Sequence, residues 1–215
     1  MSEKADTKQR LLATAAELFW QQGYTATGVA QILKAADAKS GSLYYFFPTK
    51  EDLLVGVLEN YLTLLWPEVI QPVFDRVSDP IERIFGILDG YRRGLRMTKC
   101  QGGCPIGNLA LELSDTHPAV RKLLAANFAS WRDAIRQCLD EAADRLPEDI
   151  DRDELATFVL TVMEGGVMQA RTEKRLVPFE QSVALLRDYF DRLLADGSTW
   201  SAPKPAKASR ARPKG

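Results

Sequence analysis

The sequence is poor in the residues that most enzymes and metal sites use. It contains one histidine, His117, and three cysteines among 215 residues. His117 stands before a proline with no motif that would pair it with a nucleophile, and Gly102-Gly103 lacks the pattern of a phosphate-binding loop. The spacing of Cys100, Cys104, His117 and Cys138 is not that of a known zinc module. We therefore expect no enzymatic activity, no metal and no cofactor.

Signals for export and membrane insertion are also missing. The first ten residues, MSEKADTKQR, are polar and charged, without the apolar segment of a signal peptide. No apolar run approaches the length of a membrane span. Three cysteines are an odd number at low density, which suits a reducing compartment better than a disulfide-rich secreted domain. These features predict a cytoplasmic protein without a membrane partner.

Charge is distributed unevenly along a chain whose net charge is −1. Residues 1–50 carry +2, residues 51–196 carry −8, and residues 197–215 carry +5. A mildly basic N-terminal part on an acidic body is expected when only that part approaches a polyanion, although chance surface charge would look the same. The composition of residues 197–215 predicts a disordered basic tail, which could add non-specific DNA affinity or only solubility.

The chain reads as a row of helices, with no period-two run bounded by turn residues. About nine helices are predicted, at 6–22, two within 27–47, one from Thr49, and at 80–98, 105–114, 118–146, 151–173 and 179–195. Thr49, with Asp52 three residues later, and Asp79 before Pro80 are predicted helix starts. Pro67 and Pro72 should disturb or end the fourth helix. The fold class is all-α, divided into residues 1–50, a helical body at 51–196 and the tail at 197–215.

The most informative segment is Thr27–Lys50, TGVAQILKAADAKSGSLYYFFPTK. Thr27 can cap a first helix through its hydroxyl, and a turn of small residues at 35–38 lets a second helix cross it closely. That second helix is crowded with hydroxyl groups and one glycine, which makes it a poor core helix. Small residues permit close approach to a major groove, where hydroxyl groups bond phosphates and bases.

This segment resembles the helix-turn-helix of TetR-family transcriptional regulators. The matching residues are Thr27, Ile32, Ala36, Gly41, Leu43, Tyr44, Phe47, Lys50, Glu51 and Leu53. Residues 10–24 also resemble the first helix of that family. Asp37 stands where a turn glycine is usual, Gly28 replaces a hydroxyl residue, and Phe46 replaces the common histidine. The first two departures suggest a slightly different turn and one fewer phosphate contact.

The resemblance implies which residues contact duplex DNA. The candidates are Thr27, Lys39, Ser40, Gly41, Ser42, Tyr44, Tyr45 and Lys50. Among them, Thr27, Tyr45 and Lys50 should meet phosphate, Lys50 from the first turn of the fourth helix. The candidates for base edges and the nearby backbone are Lys39, Ser40, Ser42 and Tyr44. On that assignment, Lys50→Ala should lower the salt slope of DNA binding by about one unit.

The resemblance also implies an effector site within the helical body, and Gly102–Ala110 resembles the effector domain of the LmrA/YxaF-type branch. Such a cavity needs apolar walls and a few polar groups that orient the ligand. The main candidates are Tyr61, Trp66, Tyr91, Asn108, Trp131 and Met163, with Phe85, Met97, Phe128 and Met168 as further possible lining residues. Asn108 is the best single candidate, because it is a polar amide in an otherwise apolar helix.

The last two predicted helices carry wide apolar bands. Gly165-Gly166 costs about 1 kcal/mol per glycine relative to alanine, which makes sense if another backbone passes closely. The resemblance implies that these helices from two chains form a four-helix bundle. The expected dimer interface contains Leu155, Val159, Val162, Gly166, Val183, Leu186 and Phe190.

Together these features predict a homodimeric repressor, released from a near-palindromic operator by a small hydrophobic effector. Two alternatives stay open at this point. One is a redox-sensing regulator, in which Cys100 and Cys104 flank Gly102-Gly103 and respond to oxidation. The other is a helical ligand carrier or enzyme, which would show no sequence-specific DNA binding.

Overall fold

A computed structural model describes residues 3–195, and every regular element in that range is helical. Nine helices follow one another: α1 Glu3–Gln22, α2 Val29–Ala35, α3 Ser40–Phe46, α4 Lys50–Phe74, α5 Pro80–Met97, α6 Pro105–Leu113, α7 Pro118–Glu141, α8 Arg152–Glu173 and α9 Val177–Ala195. The predicted all-α class is confirmed. The prediction of a disordered tail at 197–215 lies outside the described residues.

Polar caps set the starts of several helices. Thr49 caps α4 in a capping box: its hydroxyl accepts from the Asp52 amide at 3.1 Å, and the Asp52 carboxylate accepts from the Thr49 amide at 2.9 Å. Asp79 caps α5 and Asp151 caps α8, each accepting from two backbone amides. These carboxylates satisfy amides that have no partner within the helix. The predicted starts at Thr49 and Asp79 are confirmed.

Helix α4 passes through Pro67 without ending there. Its α-helical turns stop at Leu64, a π-helical segment covers Leu65–Ile70, and α-helical geometry returns for Gln71–Phe74. Proline cannot donate to the carbonyl four residues earlier and its ring crowds that carbonyl, so the wider turn relieves the conflict. The predicted disturbance at Pro67 is therefore a local widening of α4.

Helix α4 is also the one helix of residues 3–195 that is long and apolar enough, by length and composition alone, to cross a membrane. Its mean hydropathy reaches 1.4, which corrects the expectation that no apolar stretch approaches that length. Core helices of soluble folds pass the same test. One face of α4, including Leu54 and Leu58, is fully buried against its neighbours.

The helices form a head and a body. The head, α1–α3, packs on the first half of α4, while α7 packs on α4, α5, α6 and α8, and α9 packs on α8. One continuous apolar cluster extends from Leu11 in the head to Leu193 in α9. The head therefore shares its core with the body through α4, and a movement within the body has a direct route to the head.

Candidate nucleic-acid interface and ligand cavities

The turn between α2 and α3 needs one residue in the left-handed region. Asp37 has φ of 46°, which explains why glycine is common at this position in the related motif. Aspartate is among the few residues that tolerate this conformation. The inner face of α3 then buries Leu43 against α1, and the buried ring of Phe47, the C-cap of α3, lies beside Gly56 of α4.

The outer face of α3 is open to solvent. Tyr44 is 51% exposed and Tyr45 is 69% exposed, although both carry large aromatic rings. Lys39, Ser40 and Gly41 are also exposed, and Ser42 is half-buried. A methyl group at Gly41 would meet no atom within 4 Å. Six of the eight predicted DNA contacts thus share one accessible surface, which we call the reading face.

Thr27 does not lie on the reading face. It is fully buried, its hydroxyl donates to the Gly23 carbonyl at 2.6 Å, and Gln22 donates to it at 3.1 Å. Gly28 is the N-cap of α2 and makes no side-chain hydrogen bond there. The prediction that Thr27 caps α2 is wrong, and its buried side chain is not available to phosphate. Its hydroxyl instead stabilises the turn after α1 through the hydrogen bond to Gly23.

Lys50 is held inside the junction between head and α4. Its Nζ donates to the Tyr24 carbonyl at 2.6 Å and lies 4.1 Å from the centroid of the Tyr24 ring. Burial lowers the pKa of Lys50, and the nearby Glu112 carboxylate partly opposes that change. In this conformation Lys50 has an internal partner, which argues against its predicted role as a phosphate contact.

Lys39 and Lys50 are both predicted to contact DNA, but the structure exposes Lys39 and gives Lys50 an internal partner. Lys39→Ala should lower the slope of log affinity against log salt by about one unit per head, since an exposed phosphate contact is lost. Lys50→Ala should leave that slope unchanged, because its ammonium group already has internal partners. Binding titrations at several salt concentrations measure both slopes. A reduced slope for Lys50→Ala would return that residue to the DNA contacts.

The body also contacts the head at a second place, the turn that follows α1. The Glu112 carboxylate of α6 accepts from the backbone amides of Tyr24 and Thr25, at 2.9 and 2.6 Å. Burial alone would raise the pKa of Glu112, but these hydrogen bonds and the charge of Lys50 hold it below its usual value. The turn that follows α1 is thus tied to α6 as well as to α4.

Trp20 of α1 reaches further into the body. Its indole Nε1 donates to the Gly103 carbonyl at 2.9 Å. Its ring covers Gly102 so closely that a methyl group on that glycine would overlap the indole. Glycine is required here by the close approach of an aromatic ring, and the contact joins the head to the loop before α6.

An aromatic cavity of about 550 Å³ lies between α4, α5 and α7. It contains three of the predicted lining residues, Tyr61, Tyr91 and Trp131, and Trp20 closes it on the side of the head. The rings of Tyr91 and Trp131 are 5.3 Å apart. Burial raises the pKa of Tyr61 to about 12 and holds that of Tyr91 well above its usual value, so both phenols keep their protons.

Three other predicted lining residues lie elsewhere. Trp66 stays outside the cavity, 40% exposed, and donates to the Gln71 side chain at 2.9 Å; the π-helical segment around it alters the register of α4. Met163 is buried in the core and lines neither cavity. Asn108 lines a different pocket. Of the further candidates, Met97 lines the aromatic cavity, and Phe85 is buried against Phe190.

A second pocket, of about 790 Å³, lies between α6, α7 and α8. We call it the cationic pocket, because Arg132, Arg171 and Lys174 line it with Glu164 as the single acid. Asn108, Phe128 and Met168, which the sequence suggested for one effector site, are found here. The loop residues Gly103 and Cys104 line both this pocket and the aromatic cavity, and so form part of the wall between them.

The three cysteines are free and buried. Burial raises the pKa of Cys100, raises that of Cys104 strongly and raises that of Cys138 to about 12. Redox-sensing thiols need the opposite, an accessible thiolate of low pKa. The redox alternative therefore finds no support. Across residues 3–195, no group of three or more His, Cys, Asp or Glu side chains is placed to hold a metal ion.

Most of the predicted dimer residues belong to the core of their own chain. Leu155, Val159, Gly166, Leu186 and Phe190 are all buried within the protomer. A methyl group at Gly166 would approach the Phe179 backbone of α9 to 3.3 Å, so this glycine permits α8 and α9 to pack. The predictions of Leu155, Val159 and Phe190 as interface contacts are corrected, because these side chains hold α8 against α9 inside the protomer. Gly166 and Leu186 also line a surface groove between α8 and α9, so their place in the interface stays a prediction.

A different surface of α8 and α9 remains uncovered, and we call it the α8–α9 face. Leu185 is 71% exposed and Phe158 is 44% exposed, although both are large and apolar. A shallow groove of about 380 Å³ joins them past Val162 and Gly165. A methyl group at Gly165 would meet no atom within 4 Å, which leaves this stretch of α8 open to another backbone.

Comparisons with known proteins agree with this architecture. Residues 11–57 match the family model of bacterial regulatory proteins of the tetR family, and residues 80–186 match the tetracyclin repressor-like C-terminal domain. The chain belongs to the TetR family of transcriptional regulators. This TetR-family regulator thus joins a helix-turn-helix head to a ligand-binding type of C-terminal domain.

Individual relatives extend over nearly the whole chain. The regulator is 33% identical over 192 residues to the uncharacterized HTH-type transcriptional regulator YxaF of Bacillus subtilis, covering 87% of this chain and 98% of YxaF. It is 27% identical to LmrA of the same organism, with the same coverage. A TetR transcriptional regulator from Chloroflexus aurantiacus superposes with a TM-score of 0.79 at 29% identity, covering 89% of this chain and 98% of that one. The resemblance to the LmrA/YxaF-type branch is confirmed, and the carrier or enzyme alternative finds no support.

Proposed function

We propose that this TetR-family regulator is a homodimeric repressor that leaves its operator when a small hydrophobic molecule enters the aromatic cavity. The observation that carries the proposal is the position of Trp20. This residue belongs to α1 of the head, yet its indole lines the cavity of the body. A ligand in the cavity therefore touches the DNA-binding head directly.

Recognition of DNA is assigned to the reading face of α3. Two such faces, one per protomer, would enter successive major grooves about one helical turn apart, so the operator is expected to be near-palindromic. The exposed rings of Tyr44 and Tyr45 and the Lys39 side chain supply groups for base edges and phosphates.

The α8–α9 face is proposed to form the dimer. Two copies of α8 and α9 would pack as a four-helix bundle and cover Phe158 and Leu185, whose exposure in a single protomer is unfavourable. As a family member, the protein is also proposed to act in the cytoplasm, without enzymatic activity and without a membrane partner.

Release follows from a difference in affinity between two conformations. A ligand shifts the equilibrium only as far as it prefers one conformation, typically by 1–3 kcal/mol in allosteric proteins. Displacing Trp20 would disturb its hydrogen bond to the Gly103 carbonyl and move α1 relative to α6. The two heads would then lose the spacing that the operator requires.

Filling the aromatic cavity tests this proposal. Gly94 lines the cavity and has open space beside it, so Gly94→Phe should place a ring where the ligand would lie. Calorimetric titration with 2-naphthol, a flat aromatic probe with one hydroxyl group, should show at least about tenfold weaker binding to Gly94→Phe than to the parent. Gly94→Ala is the matched control and should bind the probe normally. Equal binding by Gly94→Phe, or no saturable binding by the parent, would contradict the proposal.

A further inference from the structure

We propose that the cationic pocket between α6, α7 and α8 is a second ligand site, which binds a small amphiphile with a carboxylate head and an apolar tail. This site is separate from the aromatic cavity assigned above to the hydrophobic effector. The proposal stands on the partners of its arginines, the position of its acid, and its apolar walls.

The two arginines of the pocket lack the carboxylate partners that most arginines of the body have. Arg187 pairs with Glu82, and Arg136 pairs with Asp140 at 3.0 Å. Within residues 3–195, by contrast, Arg132 and Arg171 take part in no ion pair, although both are half-buried. A guanidinium group offers a planar fork of donors that fits a carboxylate closely. Two guanidinium groups that face one pocket favour the binding of a ligand with an anionic head group.

Arg171 has a hydrogen-bond partner in the pocket, the side chain of Asn108. Its Nη1 donates to the neutral amide oxygen of Asn108 at 2.5 Å. A carboxylate carries a full negative charge and can accept two parallel hydrogen bonds from a guanidinium group, which the amide oxygen cannot do. Arg171 is therefore held in place by a neutral partner, with donors left for a ligand.

Glu164 offsets only part of this positive charge, because three cationic side chains line the pocket with it. Its carboxyl group lies against the wall of the pocket, where a methyl group on Gly107 would overlap it, and it contacts the Cys104 thiol. Burial raises the pKa of Glu164, so the ionised form is disfavoured relative to an exposed glutamate. The cations therefore dominate the field in the pocket.

The rest of the pocket suits an apolar tail. Phe128, Leu160 and Val167 form its walls, and Met168 and Leu111 stand at its opening with 53% and 81% of their surface exposed. Large apolar groups at the opening of a concave site are available to cover a ligand. The volume of about 790 Å³ accommodates a chain of about ten carbons together with its head group.

A hydrogen-bonded path joins this pocket to the head. Asn108, which holds Arg171, also donates to the Gly102 carbonyl at 2.8 Å, and the next carbonyl, of Gly103, accepts from Trp20 at 2.9 Å. A carboxylate that drew Arg171 away from Asn108 would loosen the loop on which Trp20 rests. Occupation of the cationic pocket is therefore expected to change operator affinity.

Calorimetric titration of the full-length protein tests the site with decanoate and decanol, which share a ten-carbon chain and differ in charge. Decanoate should bind at least about tenfold more tightly than decanol. Arg171→Met and Arg132→Met should each weaken decanoate binding about tenfold, with decanol unchanged, because each removes a charge-assisted contact. Arg121→Met, on the exposed face of the same helix as Arg132, is the matched control and should change neither.

Two further variants show whether a loss of decanoate binding comes from the missing arginine contact, from misfolding or from binding in the aromatic cavity. Arg171→Lys keeps the charge without the fork and should lose less affinity for decanoate than Arg171→Met. Gly94→Phe should leave decanoate binding intact, because it fills the aromatic cavity only. Equal affinity for decanoate and decanol, no detectable decanoate binding, or loss of decanoate binding in Gly94→Phe would each overturn the proposal, whatever becomes of the aromatic cavity.

Discussion

Leu185→Asp should convert the dimer into monomers and abolish tight operator binding. Leu185 is 71% exposed on the α8–α9 face, so a carboxylate there harms neither the core nor the fold of the protomer. In a symmetric dimer the substitution occurs twice, and each buried carboxylate would cost at least about 2 kcal/mol. About 4 kcal/mol in total raises the dimer dissociation constant roughly a thousandfold. Sedimentation equilibrium and operator titration at matched concentrations measure both effects.

Met97→Asp is the control for that experiment. Met97 is also a large apolar residue, 80% exposed, but it lies at the end of α5 and away from the α8–α9 face. This variant should remain dimeric in the same sedimentation experiment. A Leu185→Asp protein that stayed dimeric would show that the two protomers meet through another surface.

Gly102→Ala should lower the free energy of unfolding by about 2–3 kcal/mol, although it adds only one methyl group. That methyl would overlap the Trp20 ring, which is fixed by its hydrogen bond to the Gly103 carbonyl, while Asn108 holds the Gly102 carbonyl. Overpacking of this kind typically costs 1–3 kcal/mol, and neither partner can move without losing a hydrogen bond. Chemical denaturation measures the change, and a shift in tryptophan emission should accompany it.

Gly94→Ala adds the same methyl group but should raise the free energy of unfolding. Gly94 lies within α5 with no atom near the added methyl group, so alanine should stabilise the helix by about 0.5–1 kcal/mol. If Gly102→Ala proved as harmless as Gly94→Ala, the close contact between Trp20 and the loop before α6 would be wrong. The proposed role of Trp20 in transmitting ligand binding to the head would then also be wrong.

Features that depend on local sequence could be predicted. The capping residues and the prolines at helix starts place most boundaries within a few residues, because these signals act within one turn. The exposure of the reading face could also be predicted, since a short helix crowded with hydroxyl groups and one glycine is a poor core helix. The unusual turn was visible in Asp37, whose φ of 46° explains the departure from glycine.

Features that depend on distant contacts could not be predicted. Lys50 resembles a phosphate contact in the sequence, whereas in the structure its ammonium group donates a hydrogen bond to the carbonyl of Tyr24, 26 residues earlier. Trp20 reads as one more apolar residue of α1, and only the packing of α1 on α6 brings it into a cavity of the body. The apolar bands of α8 and α9 likewise do not reveal which side faces the chain's own core, because both sides are apolar.

The account depends on the reading face of α3 recognising duplex DNA as one of a symmetric pair. Selection of genomic fragments by the purified full-length protein, followed by sequencing, tests this most directly. We predict enrichment of near-palindromic sites with half-sites about one helical turn apart, and loss of that enrichment in Tyr44→Ala. Binding without preference for any fragment over random duplex, or the same enrichment by Tyr44→Ala, would contradict the account.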